Sequence, residues 1–153
     1  MQKKPIQHQY ADELCHCYGC GRLNPEGLGI KSVWDGREAV ARFTPRFYHI
    51  AIPGYVYGGL LASLVDCHGV GTAAAAAAEE AGEGAANTLP RYVTAALHIY
   101  FLKPTPLGPE LELRGRLKER KKSKIVVEVE IYAQDEIKVK GEVVAAPMPR
   151  AMR

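Results

Sequence analysis

The stretch from Gly58 to about Glu80 constrains the fold more than any other part of the chain. It contains no proline, and Leu60, Leu61, Leu64, Val65 and the run Ala73–Ala78 favour a long helix. Such a helix is apolar almost all round, so it has no solvent face and must be buried. The alanine run also lets a neighbour pack very close to the helix. Gly82 and Gly84 supply its end.

The rest of the chain reads as strands that could bury this helix. Ile30 to Trp34 and Arg37 to Phe43 flank Asp35-Gly36, a hairpin-turn dipeptide. Ala39, Ala41 and Phe43 share one face of the second strand, and Val40 and Arg42 share the other. Tyr92 to Leu102 is apolar on both faces, the pattern expected of a central strand. Leu111, Leu113 and Leu117 alternate with Glu112, Arg114, Arg116 and Lys118. Ile125, Val127, Val129 and Ile131 alternate with Val126, Glu128, Glu130 and Tyr132, and Ile137, Val139 and Val143 with Lys138, Lys140 and Glu142. Each of these three strands has a dry and a wet face. Turns fall at Thr105 to Pro109, Lys121 to Lys124 and Gln134 to Glu136. Two strands, one buried helix and four strands predict an α+β domain, a curved and mostly antiparallel sheet wrapped around one helix.

A chain of 153 residues fits one such domain, preceded by an irregular Cys-, Gly- and Pro-rich segment over residues 1–29. With 47% hydrophobic and 24% charged residues it is not composed like a disordered chain. A net charge of +3 is too mild to call for nucleic acid. Met1 to Tyr10 lacks the apolar centre of a secretory signal, and no stretch approaches the ~18 apolar residues of a membrane span. The expectation is a cytoplasmic protein with no membrane or nucleic-acid partner and four reduced cysteines.

Three groups of residues resemble a known family, in order and with its gaps. The first is Cys17-Tyr18-Gly19-Cys20-Gly21 followed by Asn24-Pro25 and Gly27-Leu28-Gly29. The second is Pro53-Gly54-Tyr55-Val56-Tyr57-Gly58-Gly59, then Ala62-Ser63-Leu64-Val65-Asp66. The third is Val93-Thr94-Ala95 through Ile99-Tyr100-Phe101-Leu102-Lys103-Pro104. From about Cys17 to Val144 the chain resembles the hotdog-fold thioesterase superfamily, specifically its PaaI-like or acyl-CoA thioesterase branch. The resemblance implies a hotdog fold, hydrolysis of an acyl-CoA or related acyl thioester, and no cofactor beyond the coenzyme A carried by the substrate.

Cleaving a thioester requires a donor for the developing oxyanion and a group that activates or acts as the nucleophile. Gly58 and Gly59 open the helix, where backbone N–H groups lack helical acceptors and the dipole is positive. In the resembled family the amide at Gly58 is the oxyanion donor. Asp66 is a carboxylate in an otherwise apolar helix, which is costly without a partner or a purpose. It matches the family's catalytic carboxylate, as general base or as nucleophile. Thr94 stands where the family carries a Ser or Thr that positions water. Asp66 lies eight residues beyond Gly58, roughly 12 Å along one helix, too far for one thioester carbonyl to touch both. The site must therefore lie between two subunits of a homodimer, which the resemblance extends to a possible dimer of dimers, a homotetramer.

Tyr57 and Gly59 are expected beside the substrate. Tyr57 stands where the family often has His, and Ala51 near its usual Asn or Gln. His49 and His68 are candidates to replace the missing polar contact, although His68 points to a different side of the helix from Asp66. Lys103 and the basic run Lys118 to Lys124 are candidates for the coenzyme's phosphates, and the run also reads as a solvated turn. Cys15, Cys17 and Cys20 present three thiols, with His8, His16 or another group needed as the fourth, but no second Cys-x2-Cys pair completes a zinc pattern and no metal is expected. Cys67 reads as packing. The alternative to an enzyme is an acyl-CoA or acyl-carrier binding protein of the same fold; a dehydratase lacks its recognisable motif.

Overall fold

The computed structural model describes residues 3–82 and 88–153. Strands β1 (Ser32–Trp34) and β2 (Ala39–Phe43) precede helix α1 (Gly58–Ala81). Strands β3 (Tyr92–Phe101), β4 (Leu111–Lys121), β5 (Lys124–Ala133) and β6 (Glu136–Pro147) follow it. One antiparallel sheet orders them β1-β2-β4-β5-β6-β3. The helix ends at Gly82, whose φ of 78° suits glycine; Gly84 lies outside the described residues.

Length and hydropathy alone would let α1 cross a membrane: its apolar window has a mean hydropathy of 1.3. The expectation that no stretch reaches this threshold is corrected on that point. The sheet and the N-terminal segment cover the helix, with 72% of that window buried. Leu60, Leu61, Leu64 and Val65 meet Leu111, Leu113, Val127, Val129, Ile131, Val139 and Val143 from the dry faces of β4, β5 and β6. The helix sits close because glycines leave notches. Gly141 faces Val65, whose Cγ1 lies 2.3 Å from where a Cβ would stand. Gly69 faces Val143 in the reverse sense, at 2.4 Å. On the opposite side, Ala74 and Ala75 take Ile6, Tyr10 and Cys15. The N-terminal segment, which has no sequence periodicity, folds as two short 3-10 turns, Ile6–Gln9 and Asp12–Leu14, and is the neighbour that the alanine run admits.

The expectation that Tyr92 to Leu102 is a central strand is corrected: β3 is an edge strand, paired among the described residues only with β6. Apolar residues on both faces do signal burial on both faces. Within one chain, however, Leu97, Tyr100 and Phe101 are exposed, Phe101 by 55%.

His68 is also corrected. It does not face a substrate; it is wholly buried where α1 meets β1 and β2. Its Nε2 lies 3.0 Å from the Ala39 carbonyl, which can only accept, so Nε2 carries the proton. Nδ1 must then accept from the Ser32 hydroxyl at 2.8 Å, and Ser32 Oγ accepts from Gln7 Nε2 at 3.0 Å. Burial lowers the His68 pKa to about 4, against the opposing hydrogen bond to Ala39. The unfolded chain binds this proton near pH 6.5, and the folded one only near pH 4. The neutral ring therefore contributes fully above about pH 6.5, and up to about 3 kcal/mol is lost as pH falls toward 4. Urea midpoints should drop across this window in the wild type and drop less in His68→Gln; parallel curves would contradict this role.

Candidate active site

Asp66 stands on the face of α1 turned toward β3, half-buried rather than sealed in the core. The Thr94 hydroxyl donates to its Oδ1. Pairing of β3 with β6 steps from Thr94↔Ala145 to Ala96↔Val144, so Ala95 is an extra residue in the strand. This bulge falls beside Thr94, and such irregularities re-aim side chains near sites. Burial raises the Asp66 pKa; the Thr94 bond and Arg91 oppose this, and nearby Cys17 adds to it. A carboxyl with raised proton affinity is better suited to act as a base near neutral pH.

Asp66 and Thr94 line a cavity of about 90 Å³ together with Arg91, Tyr92, Val93, Val70 and three cysteines. Ligand sites usually enclose about 300–1,000 Å³, so this cavity by itself is smaller than a typical ligand site. Arg91 was not singled out from the sequence. A lone cation just before an apolar strand gives little signal, and the fold alone brings it to Asp66.

The second element is the start of α1. Tyr57 is the cap residue, extended at φ −61° and ψ 129°, with no side-chain cap. Its carbonyl accepts from Leu60 at 3.1 Å and Leu61 at 3.3 Å. Among the described residues no acceptor takes the N–H of Gly58 or Gly59. The Phe101 ring borders Gly58, with Cζ 3.4 Å from a would-be Cβ. The Tyr57 ring folds over Gly59, 2.5 Å from its would-be Cβ, so a side chain at position 59 would collide with it.

The other sequence candidates do not converge on this place. The His49 carbonyl accepts from Tyr57 N at 3.0 Å, but its ring Nδ1 accepts from Arg46 N at 2.9 Å and lines a different cavity, with Tyr18, Leu28 and Phe43. Ala51 is exposed in the turn before the helix, its N–H held by Tyr55. Lys103 pairs with Glu136 at 3.0 Å. In the basic run, Lys118 pairs with Glu142, Arg120 with Glu80 and Lys121 with Glu119. That run lies by the C-terminal end of α1, whereas Lys103 follows Phe101 at the N-terminal end, so one chain does not bring the two basic elements together.

The cysteines also divide differently from the sequence pattern. Cys15 points its thiol at the carbonyls of Ala11 and Tyr10, at 3.2 and 3.5 Å. Cys67 takes its place beside Cys17 and Cys20, with Cys17 Sγ and Cys67 Sγ 3.8 Å apart. Cys67 packs against the core as expected, and it also meets these two thiols. No sequence spacing signals this contact, because Cys67 is 50 residues from Cys17 and is delivered by the helix.

A single antiparallel sheet wrapped around one buried helix, with an open amide pair at the helix start, defines a hotdog domain. The family model of the thioesterase superfamily matches residues 53–140, and the chain belongs to that superfamily. A thioesterase superfamily protein from Shewanella loihica is 46% identical over 92% of this chain and all of its own, with a TM-score of 0.68. The PaaI protein of the E. coli phenylacetic acid degradation operon is 21% identical over 80% of this chain and 81% of its own, TM-score 0.65. A Streptococcus mutans protein bound to acetyl CoA is 18% identical over 78% of this chain and 88% of its own, TM-score 0.63. These last two show the shared fold. None of the curated proteins searched matches the chain.

Proposed function

We propose that the protein hydrolyses an acyl-CoA, or a related acyl thioester, to a free acid and a thiol. The observation that carries this reading is the placement of two complementary half-sites on one helix. Asp66, held by Thr94, lies eight residues from the unpartnered Gly58 amide, roughly 12 Å along α1. Gly58 N–H would stabilise the thioester oxyanion, and Asp66 would activate water or attack the carbonyl itself. A second chain completes each site. The free β3 edge and its exposed Leu97, Tyr100 and Phe101 are the surface expected to receive it. The acetyl-CoA ligand of the Streptococcus mutans neighbour supports coenzyme A thioesters as the substrate class. A strictly monomeric yet active protein would refute the composite site.

A second reading, an acyl-CoA or acyl-carrier binding protein without turnover, is favoured by one feature. The Tyr57 ring covers the first helical turn where the oxyanion would sit. Thiol release and ligand binding, measured over a panel of acyl-CoAs for wild type and Asp66→Ala, separate the two. Turnover in the wild type alone supports the enzyme, and binding without turnover in both supports the carrier.

A further inference from the structure

The thiols of Cys17, Cys20 and Cys67 form a cluster that thioester hydrolysis does not use. All three sulfurs lie within 4.8 Å of one another. Ligands about 2.3 Å from a tetrahedral zinc stand about 3.8 Å apart, and Cys17 and Cys67 already have their sulfurs at 3.8 Å. Closing the remaining contacts requires shifts of less than about 1 Å. The loop is shaped for the third sulfur. Gly19, between Cys17 and Cys20, leaves open the space that Cys67 Sγ fills, 2.3 Å from where a Cβ would be. The Cys-x2-Cys spacing is that of half a structural zinc site, and the fold supplies the third ligand from α1.

Three features distinguish this cluster from ordinary packing of small apolar thiols. Cys15, only two residues before Cys17, is satisfied by backbone carbonyls and stays apart. Cys20 is buried at the edge of the core, but Cys17 and Cys67 are partly exposed, and all three cysteines line the cavity of Asp66 and Thr94. Arg91 lines the same cavity, its guanidinium 4.8 Å from the Tyr10 ring centre, where a cation offsets the net negative charge of a divalent metal on three thiolates.

We propose that Cys17, Cys20 and Cys67 form a binding site for a thiophilic metal ion such as Zn²⁺, with its fourth coordination position open to the cavity for a water or an exogenous thiol. Binding replaces three S–H protons, which pass to solvent, with three metal–sulfur bonds; no oxidant or reductant takes part. This inference does not depend on the thioesterase reading.

Cobalt(II) titration of the full-length, fully reduced protein tests it. One equivalent per chain should produce thiolate-to-cobalt charge-transfer and tetrahedral ligand-field bands, and Zn²⁺ should displace them. Cys17→Ser, Cys20→Ser and Cys67→Ser should each weaken binding by more than about a hundredfold, while Cys15→Ser stays within about twofold. X-ray absorption of the zinc-loaded wild type should count three sulfur ligands, which decides the matter even where a variant fails to fold. No cobalt bands, retained affinity in Cys67→Ser, or a Cys17 disulfide in place of free thiols would each overturn the site.

Discussion

Asp66→Ala is expected to lower acyl-CoA turnover by about 10²–10⁴-fold, the range spanned by a positioned acid–base group. Its effect on stability should be small or even favourable. The carboxylate is half-buried, its burial raises the pKa, and Thr94 is the only side chain hydrogen-bonded to it among the described residues. Active-site groups commonly trade stability for function. Asp66→Asn keeps an acceptor for the Thr94 hydroxyl and should lose activity to a similar degree, because the proton affinity is gone while the shape remains. Wild-type turnover in either variant would remove Asp66 from the chemistry. The same pair addresses mechanism. In a single turnover in heavy-oxygen water, label found in the Asp66 carboxylate identifies it as the nucleophile, through an anhydride opened at the Asp66 carbonyl, whereas a general base leaves label only in the product acid.

Gly58→Pro is expected to cost about 10²–10³-fold in turnover, the usual loss on removing one oxyanion donor. The substitution is unusually clean. Proline lacks the N–H but suits the first helical position, where that N–H has no helical acceptor. It requires the preceding residue to be extended, and Tyr57 already is, at φ −61° and ψ 129°. The added Cβ meets the Phe101 ring at 3.4 Å, an ordinary contact. The melting temperature should therefore change little while turnover falls. Unchanged turnover would show that the Gly58 amide is not the donor.

Much of the fold was legible because its signals are local. The helix needed only the proline-free apolar stretch, and the structure places it at Gly58–Ala81 against the expected Gly58 to about Glu80. The alternation in β4, β5 and β6 marked the faces that now meet the helix, and Asp35-Gly36 marked the first hairpin, where Asp35 N bonds the Glu38 carbonyl. What could not be read depends on pairing between distant segments. Apolar residues on both faces of β3 say that both faces want cover, not which element supplies it, and the strand proved to be an edge. His68 was a free polar group in the sequence. Its partners, Ser32 and Ala39, come from two other strands, and only their arrival turns it into a core residue.

The site divides in the same way. Asp66 stood out because a carboxylate in an apolar helix needs a reason, and Thr94 came through resemblance; the fold puts the two in contact. Arg91 left no mark in the sequence, and Cys67 read only as packing, since each gains its setting only when β3 and α1 close around the Asp66 cavity. Lys103 and the Lys118 to Lys124 run were both candidates for the coenzyme's phosphates, but within a chain they are held at opposite ends of the helix by their own ion pairs.

The most direct test of a site shared by two chains is to mix the two inactive variants. Gly58→Pro and Asp66→Ala proteins are unfolded together and refolded at equal concentration, so that about half of the dimers pair one chain of each kind. In such a dimer one site carries both defects and the other neither, because the intact Asp66 comes from the Gly58→Pro chain and the intact Gly58 from its partner. Turnover should recover to about a quarter of wild type. If amide and carboxylate served one site within a single chain, every site in the mixture would keep one defect, and turnover would stay at the level of the separate variants.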